Sequence, residues 1–235
     1  MTSMLKGVAL RLHGPMQSWG SSVIGDTRPT GTFPTRSGVM GLVAACLGIR
    51  RSELGRLLAL AQGTHVHVRV DLPGTLLVDD QTIQGNPNAS PTRQTIQSKR
   101  KYLCDASFAV VVVPGPSTST LEIASAMKQP VFSPFLGRKA CVLSTPLFIA
   151  DELEAEDPIS LFNSVPRGPV ELIEALAARP RFEDFYLDNR ASADAIRQIP
   201  LRDDLAGPLP RQWRERFAVH VRRPISATQL IHSRS

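Results

Sequence analysis

The chain has 235 residues, 42% of them hydrophobic and 20% charged, the composition of a soluble globular protein long enough to bury a sizeable core. No apolar run approaches the roughly 20 residues of a membrane span, and the N-terminal MTSMLKGVALRL lacks a signal-peptide layout, so a cytoplasmic protein is expected. The net charge of +6 is unevenly spread: Lys+Arg outnumber Asp+Glu by 15 to 7 in residues 1–150, trail by 6 to 13 in 151–204, and lead by 6 to 1 in 205–235.

Basic ends around an acidic middle suggest one face for a polyanion and another that turns away from it or meets a basic partner. Only 5 of the 27 basic residues are lysine. Arginine suits bidentate phosphate contacts and stacking, although a GC-rich genome would give the same bias. Cys46, Cys104 and Cys141 lie far apart among apolar neighbours with no CxxC pair, which favours core packing over a disulfide framework or a zinc site.

In chain order, Leu5 to Leu12 reads as a first strand ending at the Gly14-Pro15 turn. Trp19 follows in a Ser- and Gly-rich loop, placed either to stack on a base or to cover the edge of the core. The stretch TRPTGTFPTRSGVMGLVAACLGI, Thr27 to Ile49, then puts Arg28 and Arg36 in a proline-stiffened loop ahead of an apolar helix. Thr35 or Ser37 can cap that helix and Gly48 can end it in the left-handed conformation. Gly38 and Gly41 permit close backbone approach. Free amides flanked by arginines and hydroxyls make a natural phosphate site, while a capped core helix with solvated arginines accounts for the same residues.

A second short helix is expected from Ser52 to Leu60, closed near Gly63. HVHVRVDL then alternates strictly, with Val66, Val68, Val70 and Leu72 on one face and His65, His67, Arg69 and Asp71 on the other. That pattern predicts a half-buried strand whose polar face meets solvent. From Gln81 to Cys104 the pattern breaks. GNPNASPTRQTIQSKRKYL has no acidic residue and carries Arg93, Lys99, Arg100 and Lys101, the electrostatics of a nucleic-acid arm. SFAVVVV (Ser107 to Val113) predicts a strand covered on both faces. Ser119 and Glu122 have capping-box spacing for a helix running to about Lys128, and Gly137-Arg138-Lys139 falls in a turn before a further strand. Strand, helix, strand, arm, strand, helix, strand is the order of an α+β, ferredoxin-like or RRM-like βαββαβ domain. Beyond Asp151, Val170 to Ala178 reads as a helix and Trp213 to Val221 as a strand. The expected division is a domain over 1–150 with an arm inserted at about 79–103, and a small subdomain over 151–235.

Five blocks carry a family resemblance: LRLHGPMQSWG (Leu10–Gly20), the Thr27–Ile49 stretch, QTIQSKRKYLCDASF (Gln94–Phe108), FSPFLGRKACVLSTPLF (Phe132–Phe148) and LPRQWRERFAV (Leu209–Val219). Together they resemble the CasD-type subunit of type I-E CRISPR Cascade, a small member of the RAMP superfamily. Residues from about Asp151 to Gly207 match weakly and nothing is carried over to them. The resemblance implies the same fold, with the arm as a β-hairpin thumb and the Gly137 turn in place of the superfamily's glycine-rich loop. It implies a non-catalytic subunit that binds and caps the 5′ handle of crRNA in an antiviral ribonucleoprotein. Its expected neighbours are the backbone subunit CasC and the large subunit CasA, and it would meet target DNA only through the assembled complex. No homo-oligomer is expected.

On that reading Arg28, Arg36, Arg138 and Lys139 pair with handle phosphates, and the amides around Ser37 and Gly38 take one at the helix start. Trp19 stacks a splayed base, while Arg93, Lys99, Arg100 and Lys101 clamp the guide where handle meets spacer. The sequence has no GxxxxGK[ST], HExxH, GxSxG or clustered-carboxylate motif, so metal-dependent nuclease, kinase and hydrolase readings lack their residues, and no cofactor or metal is expected. One enzyme alternative survives. In metal-free RNA cleavage a base activates a 2′-OH and an acid protonates the leaving oxygen, and His13, Lys101 and Tyr102 are the candidate groups. A protein-protein scaffold without RNA contacts is the other alternative, favoured by the acidic middle.

Overall fold

A computed structural model describes residues 4–20, 26–84, 95–169, 182–188, 195–207 and 212–225. The helix expected at Val170–Ala178, part of the arm and Arg93 lie outside the described residues.

Strands β1 (Leu5–His13), β4 (His65–Leu72), β7 (Ser107–Val113) and β8 (Phe148–Ala155) form one side of a seven-stranded sheet, with β8 at its edge. β2 (Met16–Gln17), β3 (Thr27–Arg28), β5 (Thr75–Gln84) and β6 (Thr95–Cys104) form a second, four-stranded sheet. Along the chain these four strands of the large sheet are connected by α1 (Arg36–Cys46) with α2 (Leu54–Ala61), by the β5–β6 hairpin, and by α3 (Thr120–Lys128). Their spatial order is β4-β7-β1-β8, antiparallel throughout. Numbered by succession within the unit this is 2-3-1-4, so the element order read from the sequence assembles as one antiparallel layer. β9 (Phe182–Asp188), β10 (Ala195–Gly207) and β11 (Gln212–Pro224) extend the same sheet beyond β4 in the order β10-β11-β9. The division expected at residue 150 falls inside β8, and the sheet runs across it. No helix among the described residues is long and apolar enough to cross a membrane.

Local chemistry explains the helices. Thr35 caps α1 by accepting from the Gly38 amide at 3.3 Å, and Gly48 follows the helix at φ +73°, a left-handed conformation that glycine adopts without a Cβ penalty. At α3 the predicted capping box is complete: Ser119 Oγ accepts from the Glu122 amide, and Glu122 Oε2 accepts from the Ser119 amide at 2.9 Å. α2 begins at Leu54 without a side-chain cap. Helices and sheet close over Val8, Leu10, Leu12, Val43, Phe108 and Val110. Cys46 and Cys141 are buried, and burial pushes the Cys46 thiol up to about 11, where it stays a neutral thiol.

The other face of the sheet is also covered, which corrects the expectation of a solvated polar face on β4. His67, Arg69 and Asp71 are at most 3% exposed, because residues 156–169 cross beneath the sheet as a strap. Its Ile159, Leu161, Phe162 and Val165 pack on Ala9, Val111 and Phe185. The buried charges account for the docking. Arg11 Nη1 and Arg69 Nε donate to the two Asp71 oxygens at 2.9 and 2.8 Å. The same guanidinium groups donate to strap carbonyls of Phe162, Val165 and Pro166 at 2.6–3.2 Å. Burial lowers the Arg11 pKa, with Asp71 opposing the shift. Arg167 pairs with Glu183, and burial pushes its guanidinium down to about 10.

Two stability outcomes follow. Asp71→Ala leaves Arg11 and Arg69 buried without their carboxylate, so urea denaturation of the variant should show a loss of about 3–5 kcal/mol, with limited proteolysis cutting first in residues 156–169. Gly41 is exposed in the middle of α1, and among the described residues a Cβ added there meets nothing within 4 Å beyond the helix's own backbone and its chain neighbours. Gly41→Ala should therefore raise stability by about 0.5–1 kcal/mol in the same assay.

Candidate nucleic-acid interface

β6 organises the candidate site. It pairs along its full length with β5, from Thr75 opposite Cys104 to Gln84 opposite Thr95. Its other edge takes β3 in parallel, Thr27 opposite Lys99 and Arg28 opposite Arg100. An extended ribbon thus carries Lys99, Arg100 and Lys101, and the register sets Arg28 beside them. Successive strand residues point to opposite faces, so Arg100 shares a face with Ser98 and Tyr102, and Lys99 shares the other with Lys101. Ser98 Oγ donates to the Asp26 carbonyl at 3.0 Å, which holds the start of β3 against the ribbon.

The Gly137 turn reaches the same place. Gly137 has φ +90°, and a Cβ there would collide with the Ser18 carbonyl, so the close approach of the turn requires glycine. The turn carries Arg138 to Tyr102: the guanidinium lies 4.5 Å from the ring centroid, and Nη2 donates to the Arg28 carbonyl at 3.0 Å. Arg28, Arg100 and Arg138, from three separate segments, therefore meet. Two of their donors, Arg100 Nε and Arg138 Nη1, are buried without an acceptor. Such donors are costly unless a ligand supplies the acceptor. Lys139 is exposed beyond them, and Lys99 is exposed with its Nζ 3.9 Å from Asp80.

Four other expectations are corrected. Arg36 is 7% exposed: its Nη2 donates to the Ala61 and Thr64 carbonyls at 2.6 and 2.9 Å, and its Nε pairs with Asp188 at 3.2 Å. It ties α1 to the end of α2, the turn before β4 and β9, and its charge is met inside the fold instead of by a phosphate. Trp19 is fully buried, with Nε1 donating to Gln17 Oε1 at 3.0 Å, so it covers the core edge and presents no ring for stacking. The Gly38 amide already donates to Thr35, and a Cβ on Gly38 would press on the Trp19 ring; Ser37 and Gly38 are both half-exposed at the helix start. His13, Lys101 and Tyr102 do not converge. His13 is 9% exposed, with Nδ1 at 3.0 Å from the Ala106 carbonyl, and strand alternation places it with Ala9 and Arg11 on the strap side. Tyr102 belongs to the helix-side core beneath Arg138, and Lys101 points to the opposite side of β6.

The role of Tyr102 as a platform under Arg138 was not readable in sequence, because 36 residues separate the two. The parallel β3–β6 pairing was hidden for the same reason, and because a two-residue strand has no periodicity to detect.

Comparison with known proteins places this geometry. Residues 7–225 match the family described as CRISPR-associated protein (Cas_Cas5). The CRISPR system Cascade subunit CasD of Escherichia coli (strain K12) is 36% identical over 224 residues, covering 88% of this chain and 92% of that protein. Among solved structures, a chain of a CRISPR RNA-guided surveillance complex superposes with a TM-score of 0.70 at 31% identity, covering 95% of this chain and 92% of its own. A second, described as a Cas protein, gives 0.58 at 30% identity, with 91% and 95% covered. With sequence and fold matched over nearly the whole length, the chain belongs to the Cas5 family of CRISPR-associated proteins and is a relative of its CasD-type members.

Proposed function

We propose that this chain is the RNA-binding subunit of a type I-E Cascade complex, holding the 5′ handle of crRNA at the junction of ribbon and Gly137 turn without cutting it. Its kinship with CasD supports a place in Cascade, and the name of the superposed assembly, RNA-guided, supports an RNA ligand. The observation that carries the reading is the pair of acceptor-less guanidinium donors, Arg100 Nε and Arg138 Nη1, flanking Arg28. A phosphate supplies oxygens of the charge and geometry that guanidinium groups bind best. Lys139 extends the positive field beside Arg138, and Lys99 and Lys101 carry positive charge on the opposite face of the ribbon. In the assembled particle, CasC and CasA are the expected neighbours and target DNA is met through them.

Filter binding of a synthetic 5′-handle RNA across a salt series tests the reading. Arg100→Ala and Arg138→Ala should each weaken binding and flatten the slope of log affinity against log salt by about 1. Arg36→Ala should instead lose about 3 kcal/mol of stability, because it strips a partner from buried Asp188. Unchanged slopes in both Arg100→Ala and Arg138→Ala would show that the site is misassigned. The absence of cleavage is tested separately: precursor crRNA incubated with the protein in EDTA should be retained uncut, and product that disappears in His13→Ala or Tyr102→Phe would make the protein a processing ribonuclease.

A further inference from the structure

Arg28 meets Arg100 and Arg138 in the candidate RNA strip and leads into residues 29–35, a short segment that ends at α1. Pro29 and Pro34 fix two of its φ angles. Trp19 holds its middle: the Trp19 amide donates to Thr30 Oγ1 at 2.8 Å, and the Gly31 amide donates to the Trp19 carbonyl at 2.6 Å. The end of the segment is held by the C-terminal strands. Phe33, 8% exposed, lies parallel to the ring of Tyr186 on β9, with centroids 3.8 Å apart and planes 9° from each other. Tyr186 stacks in turn on His220, directly opposite it on β11, at 4.9 Å and 13°. His220 Nε2 lies 2.7 Å from Asp184 Oδ1, and Arg222 Nε and Nη2 donate to the two Asp184 oxygens at 2.8 and 3.0 Å. We infer that Tyr186 is a positioning residue for the RNA site: through Phe33, the strands beyond the βαββαβ unit set where Arg28 stands against Arg100 and Arg138.

The inference rests on the RNA-binding reading above and adds to it residues that lie outside the strip. Strand alternation supports it. Phe185 and Leu187 face the strap, so Asp184, Tyr186 and Asp188 share the helix side of β9. Asp188 pairs with Arg36 at the start of α1, so this one face grips the end of the segment at two points, Phe33 and Arg36. The rings point to orientation as their use: an aliphatic side chain would fill the same space, whereas parallel rings fix angle as well as distance. His220 gives a separate argument. Its Nδ1 is buried and has no hydrogen-bond partner among the described residues, a cost that a hydrocarbon ring in this place would avoid. What the imidazole supplies is a flat ring tied through its other nitrogen to Asp184, so that Tyr186 is backed at a set angle. Side chains locked by such a rank of supporting contacts hold a binding group in place before its ligand arrives.

The test uses the full chain and synthetic 5′-handle RNA across a salt series. Tyr186→Leu and Phe33→Leu keep apolar bulk and remove the stack, while Tyr186→Phe keeps the ring without its hydroxyl; circular dichroism and melting temperature check that each variant is folded. Arg28→Ala should flatten the slope of log affinity against log salt by about 1. Each leucine variant should flatten it by nearly as much, and Tyr186→Phe should leave it unchanged. Tyr186→Leu combined with Arg28→Ala should bind within about twofold of Arg28→Ala alone, because both remove the same contact. A variant that is merely less stable loses active protein, yet the molecules that remain folded keep their slope, so the slope separates positioning from stability. A slope that either leucine variant leaves unchanged, or losses that add to that of Arg28→Ala, overturn the inference, as does an unchanged slope in Arg28→Ala itself; if Arg100→Ala and Arg138→Ala still weaken binding, the strip stands without it. Equal losses in Tyr186→Phe and Tyr186→Leu assign the effect to the hydroxyl and overturn the stack. Absence of salt-sensitive RNA binding by the unaltered chain overturns both readings.

Discussion

Asp71 has no exposed side-chain surface, and its two oxygens are each met by a guanidinium, one from β1 and one from its own strand. Those guanidinium groups also hold the carbonyls of the strap at Phe162, Val165 and Pro166. Without the carboxylate, two cations would stand in a space that water does not reach, and their remaining donors would have to hold the strap against mutual repulsion. With it, a sheet that helices cover on one face becomes a sheet covered on both. β7, apolar at every position from Phe108 to Val113, requires that second layer.

A sheet closed on both faces leaves little room for a ligand within it, and the candidate binding surface is built from what projects from it. The β5–β6 ribbon leaves the layer between β4 and β7, and the Gly137 turn leaves it between α3 and β8. They meet because Gly137 can pass against the Ser18 carbonyl and because Arg138 finds Tyr102 to lie on. The candidate site is therefore a convergence of three segments distant in sequence, Arg28, Arg100 and Arg138, each presented by rigid backbone pairing or a fixed turn. Preorganised donors of this kind lose less freedom on binding than lysines on a mobile loop.

What the sequence made legible follows from how local each cause is. The capping box at Ser119 and Glu122, the Thr35 cap, the Gly48 terminus and the apolar run of β7 are settled within a few residues, and each appears as read. The extension of the sheet by β9 and β11 and the strap beneath it are settled by contacts between residues 30 to 155 positions apart, and no period betrays them. The strict alternation of β4 is the instructive case. Alternation reports that two faces differ in polarity, and a solvated face is its usual cause. Here the polar face is buried because its charges neutralise one another, which periodicity cannot distinguish from exposure. Within the site, residue type was legible and role was not: Arg36 and Arg138 stand in similar glycine- and proline-rich surroundings, yet one is internal and the other is at the surface strip.

The difference between those two arginines bears on how charge in this chain should be interpreted. Counted by segment, an acidic middle faces basic ends, a pattern that invites a search for an external basic partner. Traced through contacts, much of that acidity is answered from within: Asp188 by Arg36 and Arg216, Asp184 by His220 and Arg222, Glu183 by Arg167, Glu154 by Lys6. Arg36 is consumed by this internal matching, with two carbonyls and a carboxylate around it. Arg138 has one carbonyl and a ring, with a donor left over. The proposed site rests on that difference: Arg100 and Arg138 each keep a desolvated donor to which the fold supplies no acceptor, a distinction that the charge count alone cannot make.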